Sequence, residues 1–281
     1  MPWAPELFAA PALQRILDQR RRDALAAVPY FDGFLAGDPE PLVESFAGEP
    51  EVHDPVRGRV KGAAAFRAFA AETSAWLRDH HASVEDVEHA VLTRHGFEEV
   101  VLHLDGDGDG GPVHLPVAVV ADRRDDGRIE ELRVYFTQEP MGGQLSRPPL
   151  LQPDPALLVS GSLPDSVASY VRAFAAGDIG RIVAAFEPDG AVRDSGGGSH
   201  RGPAALAGFY ESVLSRGGGV HLEACAVVDG GRACALEYDV VRSGTAPMPP
   251  QAGVGVFVTG ESGRLGTVRH YDGIEATGDA P

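Results

Sequence analysis

Two aspartates occupy equivalent positions in a chain that repeats itself. Asp54 lies in Val52–Val56, and Asp194 lies in the matching segment Ala191–Ser195, 140 residues later. Both acids stand among apolar residues. A carboxylate in a dry pocket has a raised pKa and can take a proton near neutral pH. We therefore predict that both aspartates are general bases. The alternative is that each caps the turn before the next helix.

Proton donors are the second requirement of acid–base chemistry, and the repeat supplies candidates in pairs. Tyr30 and Tyr170 are equivalent, and a tyrosine hydroxyl can donate to an oxyanion in a site of low dielectric. His81 and His221 each follow the aspartate of their repeat by 27 residues, and Glu223 lies near His221. Histidine can donate a proton near pH 7. The alternatives are a core tyrosine with a bonded hydroxyl and a surface histidine.

The repeat that carries these residues spans two whole domains. Between residues 30–69 and 170–209, 14 of 40 positions are identical without a gap. A second register, shifted by 136, aligns Arg133 and Tyr135 with Arg269 and Tyr271. A period of this length indicates duplicated domains rather than a solenoid. We predict a first domain over 1–139, a Pro-rich linker over 140–163 and a second domain over 164–281.

Each repeat begins with helical spacing and continues with alternating, β-like segments. Three helices are predicted in each, the third opening at Gly62 or Gly202, and residues 11–28 predict a further N-terminal helix. Four strands follow in each repeat, predicted over 83–92, 98–104, 113–121 and 129–136, and over 220–228, 233–241, 252–259 and 266–271. Helices packed on a mainly antiparallel sheet define an α+β fold.

Composition narrows the possible partners. The formal net charge of −17 disfavours nucleic acid and anionic membrane surfaces. Neither an apolar run of membrane length nor a signal-peptide pattern is present in the sequence, so we expect a cytoplasmic protein.

Cys225 and Cys234 flank a predicted turn and could face each other, as reduced thiols. Asp105–Gly110 lacks the glutamate of a calcium loop, so we expect neither metal nor cofactor.

The pattern from Tyr170 through Gly177-Asp178 to Asp194 and Gly202 resembles the first half of ketosteroid isomerase and, more broadly, the SnoaL-like/NTF2-like superfamily. Asp54-Pro55-Val56 resembles the isomerase motif around its base. The resemblance implies cone-shaped domains with apolar pockets. It also implies that Asp54 and Asp194 are bases and that Tyr30 and Tyr170 are oxyanion donors. The third acid of that family has no counterpart here.

Repeat architecture and size are similar to those of the tandem epoxide-opening cyclases of polyether biosynthesis. That resemblance implies a cofactor-independent enzyme that cyclises or isomerises an apolar, oxygenated, polyketide-like molecule. In those cyclases a glutamate protonates the epoxide, and the matching positions here hold His81 and His221. Two alternatives stay open: a non-catalytic binding or scaffold protein, and a chain with one active and one decayed domain. We expect a monomer in which the two domains pair as an intramolecular pseudo-dimer.

Overall fold

The computed structural model describes residues 30–37, 39–106, 111–136, 148–159, 161–195, 197–215, 217–244 and 246–272. The helix predicted over residues 11–28 lies outside these ranges, as do residues 107–110 of the acidic loop and residues 140–147 and 160 of the predicted linker. Among the described residues, no helix combines the length and the apolar character that crossing a membrane requires.

The described chain contains the same elements twice, in the same order. The first set comprises helices α1 (Tyr30–Ala36), α2 (Glu40–Glu44) and α3 (Ala63–Asp79) with strands β1 (Glu51–Asp54), β2 (Gly58–Lys61), β3 (Ser83–Val91), β4 (His95–Leu104), β5 (Val113–Arg123) and β6 (Ile129–Tyr135). A 3-10 helix, Pro155–Leu158, precedes the second set. That set comprises α4 (Asp165–Ala176), α5 (Ile179–Ala184) and α6 (Gly202–Val213) with β7 (Phe186–Arg193), β8 (Ser199–Arg201), β9 (Val220–Asp229), β10 (Ala233–Ser243), β11 (Ala246–Thr259) and β12 (Leu265–Tyr271).

Each set forms its own sheet of six strands. The strand orders are β2-β1-β6-β5-β4-β3 and β8-β7-β12-β11-β10-β9. All neighbours are antiparallel except β1 with β6 and β7 with β12, which are parallel. The α+β class and the two tandem domains are therefore confirmed, whereas the domain boundaries stay predictions.

Glycine begins the third helix of each domain, as predicted. Gly62 has φ +93° immediately before α3, and Gly202 has φ +79° at the start of α6. This left-handed conformation strains a residue with a Cβ but not glycine. The turn lets each third helix cover the inner face of its sheet, where Phe34 packs edge-on against Phe69 at 5.6 Å in the first domain.

Alternation along the strands divides each sheet into two faces. On β6, Leu132 and Val134 belong to the core beneath the helices, while Tyr135 belongs to a separate buried cluster. That cluster joins the two sheets and includes Phe97 and Val120 from the first domain with Val254 and Val256 from the second. The outer faces of the two sheets therefore pack on each other, the arrangement that a pseudo-dimer predicts. A monomer in solution stays a prediction.

Two buried ion pairs cross this interface in a reciprocal manner. The Glu237 carboxylate of the second domain accepts hydrogen bonds from Arg133 Nε at 2.7 Å and from the Tyr135 hydroxyl at 2.7 Å. The Glu99 carboxylate of the first domain accepts hydrogen bonds from the Arg269 guanidinium and from the Tyr271 hydroxyl. The exchange gives the interface the self-complementary form of a two-fold dimer.

The prediction that the two cysteines could face each other is wrong. Cys234 on β10 lies opposite Asp229, while Cys225 is the extra residue of a bulge in β9 opposite Glu237 and Tyr238. The turn is centred between Gly231 and Arg232, later than predicted, so Cys234 already pairs with Asp229 before the bulge is reached. Both cysteines are free thiols, and burial raises the pKa of each to about 12.

Candidate active site

An apolar pocket opens between the helices and the sheet of the first domain. Its cavity volume is about 70 Å³. Aromatic and aliphatic side chains form most of the wall: Tyr30, Phe31, Val56, Phe69, Trp76, Leu77, Leu102, Leu115, Val134 and Phe136. Four other lining residues are polar or charged: Asp54, Arg57, Glu72 and Thr73. An apolar cleft with a few convergent polar groups is the usual form of a small-molecule site.

Asp54 is the last residue of β1, and it shares the inner face of the strand with Val52. Its Oδ1 accepts the backbone N–H groups of Val56 and Arg57, at 2.8 and 2.9 Å. Its Oδ2 accepts the hydroxyl of Tyr30 on α1 at 3.2 Å. The tight turn after β1 and the helix above it therefore fix the carboxylate in one orientation.

Burial controls the protonation of this pair. Removal from water raises the pKa of Asp54, and the hydrogen bonds from Arg57, Val56 and Tyr30 oppose that rise. Burial also raises the pKa of Tyr30 well above its ordinary value, and the neighbouring Asp54 charge adds to the increase. Tyr30 is therefore held as a neutral hydroxyl donor beside a carboxylate whose proton affinity is increased. The two residues predicted as base and tyrosine donor are hydrogen-bonded in the first domain, and their catalytic roles stay predictions.

An ion pair spans the mouth of the pocket. The Arg57 guanidinium, next to the β1–β2 turn, lies 2.6 Å from the Glu72 carboxylate on α3. Both side chains are about half exposed, at 48% and 57%. Thr73 and Trp76 follow on the same face of α3 and line the pocket behind the pair.

The equivalent aspartate of the second domain has different partners. Asp194 Oδ1 accepts the Gly198 N–H at 2.8 Å, and Oδ2 lies 2.8 Å from His200 Nε2. The Tyr30–Asp54 hydrogen bond has no counterpart among the described residues of the second domain, because Tyr170 and Asp194 are not bonded to each other. The adjoining cavity has a volume of about 10 Å³, which is near the lower limit for a single water molecule.

A chain of buried polar side chains fills the second cone instead. The Tyr238 hydroxyl donates to Asp272 Oδ2 at 2.6 Å and lies 3.0 Å from His270 Nδ1. His270 Nε2 lies 2.9 Å from the Tyr170 hydroxyl, which lies 2.9 Å from that of Tyr210. Burial lowers the pKa of His270, so its ring is neutral near pH 7.

The number of available hydrogens determines which groups donate and which accept in this hydrogen-bond network. Tyr238 has one hydroxyl hydrogen and gives it to Asp272, so His270 Nδ1 must carry the hydrogen that bonds to Tyr238. The neutral imidazole then has Nε2 as its acceptor, and Tyr170 donates to it. Tyr210 in turn donates to Tyr170. Every member has a partner, which makes the network a rigid polar core.

Differences in side-chain size explain why one cone is open and the other filled. Where the first domain has small or aliphatic residues, the second has larger ones at equivalent positions of the repeat and of the strand pairing: Ala70 against Tyr210, Val100 against Tyr238, Ala121 against Phe257 and Val134 against His270. Gly253 and Gly255 make room for them, because a Cβ on Gly253 would lie 2.7 Å from Asp272 Cβ and one on Gly255 would lie 2.8 Å from the Phe257 ring. The first domain has Val117 and Val119 at those two positions.

The remaining predicted site residues lie away from both cavities. His81 has φ +46°, is 78% exposed at its side chain and lies 2.9 Å from Asp105. His221 is exposed on β9 and Glu223 is half-buried on the same strand, while Leu222 and Ala224 take the inner positions. The structure therefore brings none of these three residues to Asp54 or Asp194, and their roles as donors stay predictions.

Several lining residues were missed from the sequence, and periodicity could have found some of them. Phe69, Thr73 and Trp76 are spaced by four and three residues, the helical interval that places side chains on one face. His270 and Asp272 are spaced by two, which places them on one side of a strand. These spacings identify a shared face, but only the packed structure shows that the face lines a cavity.

One cluster has the composition of a metal site but lies on the other side of the first sheet. Ligand atoms of Glu51, His53 and Glu131 all fall within 4.8 Å of one another. Both carboxylates already bind cations, since Glu51 contacts Arg59 and Lys61 and Glu131 contacts Arg133. The cluster is a partly buried charge network and adds no ligand to the pocket.

Comparison with known proteins gives a family match to both halves of the chain. A family model described as a SnoaL-like domain matches residues 27–132 and 167–269. No protein in a search of curated sequences is similar to the chain. Similar solved structures include a putative polyketide cyclase from Sinorhizobium meliloti, with 23% identity over 40% of this chain and 97% of that one, at a TM-score of 0.35.

Two further structures are similar over comparable lengths. One is the epoxide hydrolase/cyclase-like enzyme SalBIII, described in pyran ring formation in the polyether salinomycin, with 20% identity over 42% of this chain and 90% of that one, at a TM-score of 0.33. The other is a SnoaL-like protein from Burkholderia thailandensis, with 16% identity over 43% of this chain and 98% of that one, at a TM-score of 0.33.

Proposed function

Because the chain belongs to the SnoaL-like family, we propose that it is a cofactor-independent acid–base enzyme for an apolar, oxygenated small molecule, with its working site in the first domain. The reaction is an epoxide-opening cyclisation or a related ring closure or isomerisation in natural-product biosynthesis. The observation that carries the proposal is Asp54, a carboxylate with burial-raised pKa, held beside Tyr30 in an apolar pocket.

The proton path of an epoxide opening can be written through these two residues. Asp54 takes the proton of the attacking substrate hydroxyl as its oxygen forms the new C–O bond. The epoxide C–O bond breaks, and its oxygen takes the Tyr30 proton. Asp54 then returns its proton to Tyr30, so both residues end as they began. A general base and a positioned donor each contribute typically ~10²-fold or more to such a step.

The second domain supports a different role. Its cone is filled by the chain from Tyr210 to Asp272, and its cavity is about 10 Å³. We assign it a scaffolding function, in which it covers the outer face of the first sheet and leaves catalysis to Asp54. This is the arrangement of one active and one inactive domain.

The test compares Asp54→Asn with Asp194→Asn as a matched pair, using a panel of apolar epoxy alcohols that close to cyclic ethers. We expect Asp54→Asn to lower kcat/KM by about 10² or more, because the amide cannot accept the proton. Asp194→Asn should keep kcat/KM within about threefold of the unmodified protein. Full activity in Asp54→Asn would contradict the proposal, and equal losses in both variants would contradict the assignment to one domain.

A further inference from the structure

The charges that line the first-domain pocket do not balance. Two carboxylates, Asp54 and Glu72, face one guanidinium, Arg57. Glu72 already pairs with Arg57 at 2.6 Å at the mouth. No cation lies within ion-pair distance of Asp54 in the described parts of the chain; its contacts are two backbone N–H groups and the Tyr30 hydroxyl. The Arg57 charge lowers the pKa of Asp54 from beyond ion-pair distance, but its guanidinium is bound to Glu72. The Asp54 carboxylate therefore has no direct ion-pair partner, which is costly for a group largely removed from water.

The walls around Asp54 are suited to positive charge. Five aromatic rings line the pocket, those of Tyr30, Phe31, Phe69, Trp76 and Phe136. The face of an aromatic ring attracts a cation, most strongly in tryptophan, and the attraction increases when the cation is desolvated. Clustered aromatic rings are the usual recognition elements for quaternary ammonium groups.

The same pocket offers little to a negative charge. The Tyr30 hydroxyl is already bonded to Asp54, and the Arg57 guanidinium to Glu72. An anion would have to displace a carboxylate from one of these donors while it remained near two negative charges. The second domain offers no comparable site, because its cavity of about 10 Å³ is too small for a ligand.

We propose that the first-domain pocket binds an apolar molecule that carries an onium or protonated amine group, with the positive centre against Asp54 and the aromatic rings. The inference rests on the same pocket as the proposed function. It deepens that function by assigning the substrate, or the reacting carbon at the transition state, a positive charge. Acid-assisted opening of an epoxide builds up charge of this sign on carbon. The cavity volume of about 70 Å³ in this pocket exceeds the roughly 10 Å³ of the second domain.

Two probes of equal shape test the charge alone. Benzyltrimethylammonium and 2,2-dimethylpropylbenzene differ in one central atom, nitrogen in the cation and carbon in the neutral molecule. 3-Phenylpropionate supplies the opposite charge. Binding is measured by competition against a fluorescent apolar dye at fixed low ionic strength, because exposed charge attraction weakens with salt. Asp54→Asn removes the charge at the centre of the pocket, and Asp194→Asn is the matched control.

We expect the cation to bind about tenfold more tightly than its neutral isostere, equivalent to about 1.4 kcal/mol. Asp54→Asn should abolish this preference, whereas Asp194→Asn should retain it. Equal or tighter binding of the neutral probe, tightest binding of 3-phenylpropionate, or absence of binding by all three would each overturn the inference. If the three probes bind with equal affinity and the Asp54→Asn enzyme is inactive, the charge preference alone is overturned. A preference for the cation combined with full activity of that variant would overturn the proposed reaction alone.

Discussion

The buried guanidinium of Arg133 and the carboxylate of Glu237 join the two domains through two parallel hydrogen bonds, from Nε at 2.7 Å and from Nη2 at 2.8 Å. Arg133 has further acidic partners, Asp122 and Glu131. Its counterpart Arg269 pairs with Glu99 across the interface. The two halves of the reciprocal exchange are thus alike in geometry but unequal in the number of carboxylates around each arginine.

This inequality predicts unequal costs when the glutamates are removed. Glu99→Ala leaves Arg269 without its ion-pair partner and should lower the free energy of unfolding by about 3–5 kcal/mol. Glu237→Ala leaves Arg133 with two other carboxylates, so the loss should be about 1–3 kcal/mol, chiefly from the unsatisfied Tyr135 hydroxyl. Urea unfolding of the two variants measures the difference. Equal losses, or a larger loss for Glu237→Ala, would contradict this account.

The Tyr30 hydroxyl lowers the pKa of Asp54 by donating a hydrogen bond to its charged form. Tyr30→Phe should therefore raise the pKa of Asp54 further above its ordinary value, because burial then acts with less opposition. Titration of the side-chain carboxyl carbon by ¹³C NMR measures this directly. Tyr170→Phe, in the other domain, is the control and should leave the Asp54 midpoint in place. A lower or unchanged midpoint in Tyr30→Phe would count against the hydrogen bond.

His270 should be the Nδ1–H tautomer, because Tyr238 donates its only hydroxyl hydrogen to Asp272 and cannot also donate to Nδ1. Burial lowers its folded-state pKa, so the ring should stay neutral as pH falls below the unfolded value of about 6.5. Over that range the unfolded chain binds the proton and the folded chain does not. This residue therefore removes stability as pH falls from about 6.5 toward its folded pKa. Ring ¹⁵N chemical shifts report both properties, and an Nε2–H tautomer or titration near pH 6.5 would disprove the assigned direction.

Gly253 leaves the space that Asp272 and Tyr238 occupy, because a Cβ there would lie 2.7 Å from Asp272 Cβ and 3.0 Å from the Tyr238 ring. Gly253→Ala should lower the free energy of unfolding by about 1–3 kcal/mol through overpacking. Gly208 is the control, since it is exposed within α6 and a Cβ there would meet nothing within 4 Å. Gly208→Ala should stabilise the protein by about 0.5–1 kcal/mol. Thermal unfolding of both variants tests the contrast, which fails if both changes have the same sign.

The fold could be predicted from the sequence wherever local backbone conformation determines it. Gly62 and Gly202 mark a left-handed turn that few other residues tolerate, and β-like alternation defined the strands of both sheets. The repeat and the family resemblance singled out Tyr30 and Asp54, which are hydrogen-bonded to each other in the structure. These features depend on backbone conformation and on equivalent positions, both of which a duplicated sequence records directly.

The second site could not be predicted in the same way, because its contacts depend on side-chain size. The hydroxyl of Tyr170 is bonded to Tyr210 on α6 and His270 on β12, neither of which was predicted as a site residue. His81 was placed by counting residues from Asp54, whereas its φ of +46° turns it toward solvent after α3. Sequence distance does not determine which face of an element a side chain occupies once a turn intervenes.

Because the two cones are encoded by separate parts of one chain, a substitution can fill one cone and leave the other open. In a dimer of identical subunits every substitution appears in both pockets, so a tyrosine at the position of Ala70 would close both. Here Ala70 and Tyr210 are encoded separately, and each pocket can change without the other. The filled cone can carry the polar interior that gives the pair its rigidity, while the open one keeps the space that a ligand needs. Joining the copies in one polypeptide thus removes the requirement that the open half and the filled half be the same.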